Sequence, residues 1–128
     1  MVYGQEASGL TSCSPRLAAR TVILSQNSRI VLIRIVRLTL DPARVADFLH
    51  LFRESENRIR QQPGCRHLEL WQDADQPHIY CTYSHWDDAA ALDAYRRSAL
   101  FGEVWPATKR LLASPAQAFS VVRAAEGA

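Results

Sequence analysis

Lysine is nearly missing from this 128-residue chain: Lys109 stands alone, and the other basic side chains are scattered arginines. The formal net charge is only +2. Without a dense basic stripe nothing can neutralise a row of phosphates, so nucleic acid is not an expected partner. Long apolar runs are missing as well. A membrane-crossing helix needs about 20 consecutive apolar residues, and no run approaches that, so no membrane partner is expected. The opening MVYGQEASGLTSCSP has no basic segment followed by an apolar one and does not read as a secretory signal. Cysteines are few and odd in number, Cys13, Cys65 and Cys81, which excludes a disulfide framework. They read as free thiols in a reducing compartment, and a cytoplasmic location is the expectation. Neither G-x-G-x-x-G, P-loop, H-E-x-x-H, C-x-x-C nor a serine nucleophile elbow occurs. His67, His78 and His85 lack a third partner at metal-ligand spacing. No metal and no cofactor are expected.

What is present fits one small domain with an extension. Residues 1–29 are rich in Ser, Thr, Gly, Gln and Ala and hold no period; the expectation is a disordered arm. This arm is also weakly transit-peptide-like, and a natural start near Ile30–Val31 is an alternative. The domain is expected over residues 30–123, with a frayed tail at 124–128. Its first strand is Ile30–Leu40, IVLIRIVRLTL, whose β-branched, nearly continuous apolar run predicts a central position. Arg34 and Arg37 interrupt it on opposite faces. An arginine there ordinarily snorkels to the edge; the functional alternative is a donor to an anion or a substrate oxygen. Asp41-Pro42 starts a helix as N-cap and first residue. Val45, Phe48, Leu49, Phe52 and Ile59 then follow helical spacing until Pro63-Gly64 stops it.

Two strands are predicted next, Cys65–Gln72 and His78–Trp86, joined by a polar turn at Asp73–Pro77. With the turn centred near Asp75, Cys65 lies opposite His85 and Cys81 opposite Glu69, too far out of line for a bridge. Alternation separates two faces. One carries Leu68, Leu70, Tyr80, Thr82, Ser84 and Trp86. The other carries Cys65, His67, Glu69, Trp71, Ile79, Cys81, Tyr83 and His85. Asp87 is expected to cap a short helix, Asp88–Arg97, with Leu92 and Tyr95 inward. A further stripe runs through Leu100, Phe101, Val104, Trp105, Thr108, Leu111 and Leu112. Pro106 predicts a kink there, or a true start near Trp105. Ala118–Arg123 is the last strand.

Strand, helix, strand, strand, helix in two pieces, strand is the ferredoxin-like βαββαβ pattern, an α+β fold with an antiparallel sheet and helices on one face. The other face carries Ile33, Ile35, Trp71 and Ile79. A second copy of the sheet is the economical cover, so a homodimer is expected.

Three stretches carry a family resemblance: VRLTLDPARVADFLHLFRE, QQPGCRHLELWQD and IYCTYSHWDDAAALDAYRRSALFGEVWPATKRLLA. The Pro-Gly turn before strand two, the Tyr-x-x-Trp end of strand three, and the spacing Leu92, Tyr95, Ser98, Phe101 resemble the antibiotic biosynthesis monooxygenase (ABM) family. The resemblance covers roughly Ile30–Arg123. It implies a dimeric α+β barrel and, in some members, oxidation of aromatic phenols or quinols without metal or flavin. A haem-degrading branch places an Asn late in strand one, a Trp at the end of strand three and an axial His on the last helix. Here Trp86 matches, but Val36 and Trp105 stand at the other two positions, so haem is disfavoured.

The expected function is a cofactor-independent monooxygenase acting on a small aromatic phenol, quinol or anthrone-like substrate with O2. The alternatives are a non-catalytic dimeric binding module and a cofactor-free isomerase or lyase on the same fold. Such an oxygenase needs an apolar slot, a base and donors for a developing oxyanion. The expected substrate-binding residues are Arg34, Phe48, Phe52, Thr82, Ser84, Tyr95, Phe101 and Trp105. The expected catalytic residues are Trp86, His85, His67 and Tyr83, with the histidines as bases by their ordinary pKa. By alternation those histidines fall on the face away from the helices. Aromatics at such spacing are ordinarily core, and His67, Glu69 and Tyr83 can equally form a polar network at a dimer interface.

Overall fold

The computed structural model describes residues 30–125. The expectations for the arm at 1–29 and for 126–128 of the tail lie outside the described residues. Four strands form one antiparallel sheet in the order β2-β3-β1-β4. They are β1 (Leu32–Thr39), β2 (Cys65–Gln72), β3 (Ile79–Trp86) and β4 (Gln117–Val121). The helices are α1 (Val45–Arg60), α2 (Ala89–Arg96) and α3 (Ala99–Lys109). This is the expected ferredoxin-like α+β arrangement. β1 is central, as its apolar run predicts, paired with both β3 and β4.

Local chemistry explains the element ends. Asp41 accepts from the Ala43 amide, and Pro42 opens a 3-10 turn that leads into α1. Gly64 stops the chain after α1 with φ +83°, a conformation that a side chain resists. The β2–β3 turn is held by the Asp73 carboxylate, which accepts from the Asp75 and Gln76 amides and faces Arg37 at 3.7 Å. Those amides, and then Arg37, hold the Asp73 carboxyl below its ordinary range. Arg37 thus takes the edge role, on the face opposite Arg34.

Four expectations need correction. The hairpin pairs Glu69 with Tyr83 and Trp71 with Cys81, two residues out from the predicted register. A shift of two preserves parity, so the faces survive, with one exception. A bulge between Cys65 and His67 puts Cys65 opposite Trp86, and it packs on the Ile59, Leu68 and Leu100 cluster under the helices. The second correction concerns the cap of α2. Asp88 accepts from the Ala91 amide, whereas Asp87 pairs with Arg66. The third concerns α3, which is continuous from Ala99, because Ser98 Oγ accepts from the Phe101 amide at 3.1 Å. Pro106 removes one bond to Gly102, where the lack of a side chain leaves open space. The fourth is β4, which ends at Val121, because its ladder with β1 runs only from Arg37 to Ile33.

The core lies between the sheet and the helices. Leu38, Leu40, Phe48, Tyr80 and Leu111 form its main cluster. Trp86 is 1% exposed, so the end of β3 is among the most deeply buried points of the described residues.

The two helix-side glycines make opposite predictions. A Cβ on Gly64 would sit 2.5 Å from Ala91 Cβ, and its φ is left-handed. Gly64→Ala should cost about 2–4 kcal/mol by urea unfolding. Gly102 has open space around a Cβ, so Gly102→Ala should add about 0.4–1 kcal/mol.

Candidate functional site

Alternation along three strands determines what faces the helices. β1 and β3 pair Arg34 with Ser84 and Val36 with Thr82; β4 adds Ala118 opposite Val36. These are short side chains, apart from Arg34. Helices resting on such a floor cannot close down on it, and a cavity of about 260 Å3 remains. Its walls come from Phe48, Phe52 and Ile59 of α1, from Tyr95 and Arg96 of α2, and from Phe101, Val104 and Trp105 of α3.

Nine of the sequence-predicted site residues line this one slot: Arg34, Phe48, Phe52, Thr82, Ser84, Trp86, Tyr95, Phe101 and Trp105. Four of them form a continuous aromatic series. Trp86 stacks on Tyr95 at 5.0 Å, Tyr95 meets Phe101 edge-on at 5.2 Å, and Phe101 stacks on Trp105 at 6.0 Å. Such a wall suits a flat aromatic guest.

The polar atoms of the slot are unequal. Trp86 donates its indole N–H to Ser84 Oγ at 3.0 Å, so toward a guest it offers only its π-face. Ser84 Oγ donates in turn to the Arg34 carbonyl oxygen. The hydroxyls of Ser55 and Thr108 donate to carbonyls one turn back in their own helices, Leu51 and Val104. Thr82, Tyr95 and the two guanidinium groups remain as donors. Burial first, and then Cys65 nearby, push the Tyr95 phenol up to about 12, so it is a donor and not a base near neutral pH. No His, Asp or Glu is among the lining residues.

The other three predicted residues lie elsewhere. His67, Tyr83 and His85 occupy the opposite face of the sheet, where alternation places them. His67 bonds Glu69, which also accepts from the Trp71 indole at 2.7 Å. Tyr83 stacks on Trp71 at 4.3 Å and meets His85 at 4.9 Å. His67 and then Trp71 hold the Glu69 carboxyl below its ordinary range. Burial, then the neighbouring His67 and Arg123, lower the His85 imidazole, with Glu69 opposing. Its Nε2 is buried without a partner. The structure therefore brings Trp86 to the slot but separates it from both histidines and Tyr83.

Arg96 lines the slot and was not among the predicted residues. Its signal was available, since it lies four residues after Leu92 and next to Tyr95, on the same helical face. Ser55 is similar, between Phe52 and Ile59. Val36 and Trp105, the positions where haem-degrading relatives carry Asn and the axial His, both line the slot. Neither side chain can ligate iron, so the residues present do not fit haem. Among the described residues no cluster of three His, Cys, Asp or Glu could hold a metal.

Comparison with known proteins agrees with this fold. The family model described as antibiotic biosynthesis monooxygenase matches residues 31–105. Among solved structures, a conserved protein from Methanosarcina mazei superposes with a TM-score of 0.71 at 21% identity, over 77% of this chain and 97% of its own. A protein from Pseudomonas aeruginosa superposes at 0.68 with 22% identity, over 77% and 98%. A structure described as an antibiotic biosynthesis monooxygenase gives 0.65 at 25% identity, over 75% and 99%. No curated protein matches the chain.

Tyr95 supplies a pH test of this environment. Between pH 10 and 12 the unfolded phenol ionises while the folded one stays protonated, so the unfolded state binds fewer protons. The stability contributed below pH 10 is therefore lost as pH rises through that window. Folding free energy should fall by up to about 2–3 kcal/mol across it beyond the change in Tyr95→Phe, measured by urea unfolding at stepped pH.

Proposed function

This chain belongs to the antibiotic biosynthesis monooxygenase family, and on that premise we propose that it is a cofactor-independent monooxygenase of a small, electron-rich phenol, quinol or anthrone-like compound. The observation that carries the reading is the slot: a flat aromatic wall, a floor of short side chains, and donors at Arg34, Arg96, Thr82 and Tyr95. For an anthrone the balance closes with O2 alone. The activated CH2 becomes a carbonyl, one oxygen atom ends there, the other leaves as water, and the substrate supplies all four electrons. The protein's part is to favour the substrate anion, hold it flat and limit water. With no carboxylate or imidazole in the lining, the proton departs to solvent, and the guanidinium groups stabilise the anion that remains.

The same lack of a base favours a second reading, a non-catalytic module that binds an aromatic compound. An isomerase or lyase is the third.

We also propose that the chain works as a homodimer joined through the outer sheet face. Phe119, Val121 and Trp71 there are 49%, 40% and 41% exposed, and β4 turns its large apolar side chains outward while Ala118 faces the helices. Sedimentation of wild type as a dimer and of Phe119→Glu as a monomer is the expected result.

Oxygen-electrode measurements with a panel of anthrones and hydroquinones test the activity. The expected result is one O2 consumed per substrate by metal-free protein. Trp86→Phe should lower kcat ~10-fold by misplacing the guest, while His85→Ala leaves it within about twofold. Saturable quenching of Trp86 and Trp105 fluorescence without product would instead support the binding module. Product without oxygen uptake would support the third reading. Equal turnover in Trp86→Phe and wild type would remove the slot from the chemistry.

A further inference from the structure

Two guanidinium groups line the slot, Arg34 from β1 and Arg96 from the end of α2, and no carboxylate lines it with them. The chain pairs arginines readily elsewhere: Arg37 with Asp73, Arg44 with Asp47, Arg58 with Glu103, Arg60 with Glu56, Arg66 with Asp87. Among the described residues Arg34 and Arg96 have no such partner; Arg53, Arg97, Arg110 and Arg123 have none either, but of these six only Arg34 and Arg96 line the slot. Arg34 is partly buried, and its Nη1 donates to Ser120 Oγ at 3.1 Å. A guanidinium has five N–H donors in a planar fork, so most of Arg34's remain available. Arg96 is exposed at the rim.

An arginine that merely covers apolar surface sends its head to water or to a surface carboxylate. Arg34 instead turns its head toward β4, across the strand's helix-facing side. There it shares an apolar cavity with a second positive charge. Burial first, and then the Arg96 charge, lower its hold on its proton, and no carboxylate in the lining offsets that like charge. A neutral aromatic guest would leave that repulsion in place. An anion would remove it.

We infer, on the reading of this slot as the working site, that its ligand is a flat aromatic bearing an anionic oxygen, seated between Arg34 and Arg96 with its rings against Trp86 and Tyr95. A phenolate and a carboxylate share this chemistry. The inference does not depend on oxygen consumption, so the two can fail separately.

The test is calorimetric titration of the full-length protein with 2-naphthoate and with 2-naphthamide, its neutral counterpart of the same shape. The carboxylate should bind ~10–100-fold tighter, as charge-assisted hydrogen bonds in a partly dry site do. Arg34→Gln with Arg96→Gln should bring the naphthoate and amide affinities within about twofold of each other in the same variant, while Arg34→Lys keeps most of the preference. Should Arg34→Gln fail to fold, the rim variant Arg96→Gln alone should still reduce the preference by about threefold or more, and more so at low salt. The phenolate arm uses 4-nitrophenol, whose ionisation is read by its own absorbance. Its pKa should drop on binding to wild type and not on binding to the double variant. A drop with 4-nitrophenol but no naphthoate preference assigns the site to phenolates. Equal binding of naphthoate and amide together with no shift in the nitrophenol would overturn the inference, as would a preference that survives in the double variant. Anion preference without oxygen uptake would leave the clamp standing and remove the monooxygenase reading.

Discussion

The antiparallel pairing of β1 with β3, in register from Leu32 opposite Trp86 to Thr39 opposite Ile79, is the constraint on which the rest of the structure depends. Because side chains alternate with period two, that register decides at once which groups meet the helices and which face away. Arg34, Val36, Thr82, Ser84 and Trp86 become the floor of a slot. Ile33, Ile35, Tyr83 and His85 go to the other side. A slip of one residue would turn one strand's set to the opposite face, mix the two groups and leave no slot.

The slot is a packing consequence before it is a chemical one. Three helices rest on a sheet whose helix-facing residues include Thr82, Ser84 and Ala118, which are too short to fill the space. The aromatic side chains around it stack on one another and so resist collapse into it. Most of its hydroxyls are tied to neighbouring carbonyls, which limits the donors offered to a guest to Thr82, Tyr95 and the guanidinium groups. On the proposed function, chemistry in such a place would rest on stabilising an anion in an apolar cleft, with the substrate's own acidity replacing a protein base.

Much of this was legible in residue order. Apolar runs with β-branched residues marked the strands, Asp41-Pro42 and Pro63-Gly64 bracketed α1, and period-two alternation sorted the hairpin into two chemically different faces. Parity was robust because the actual register differs from the expected one by two positions. What failed was finer. The bulge that turns Cys65 inward leaves no mark in hydrophobic pattern, because it arises from how β2 meets β3 near Gly64. Asp87 and Asp88 are equally good caps in isolation; Arg66, brought alongside by the sheet, engages the first and leaves the second to cap α2. Pro106 by itself predicts a kink, or a true start near Trp105, in a helix that Ser98 caps and Gly102 leaves room for.

By itself, then, the sequence determined the order of elements, the central place of β1, the aromatic stripe and the family's outline, because these depend on local propensity and on periods of two and 3.6. Only the tertiary structure decided that the slot lies on Trp86's face of the sheet and not on the face of the histidines. It also decided that Arg96 joins Arg34 there, and that no carboxylate or imidazole does. Those facts depend on which distant side chains enclose the same volume, and no local period encodes that.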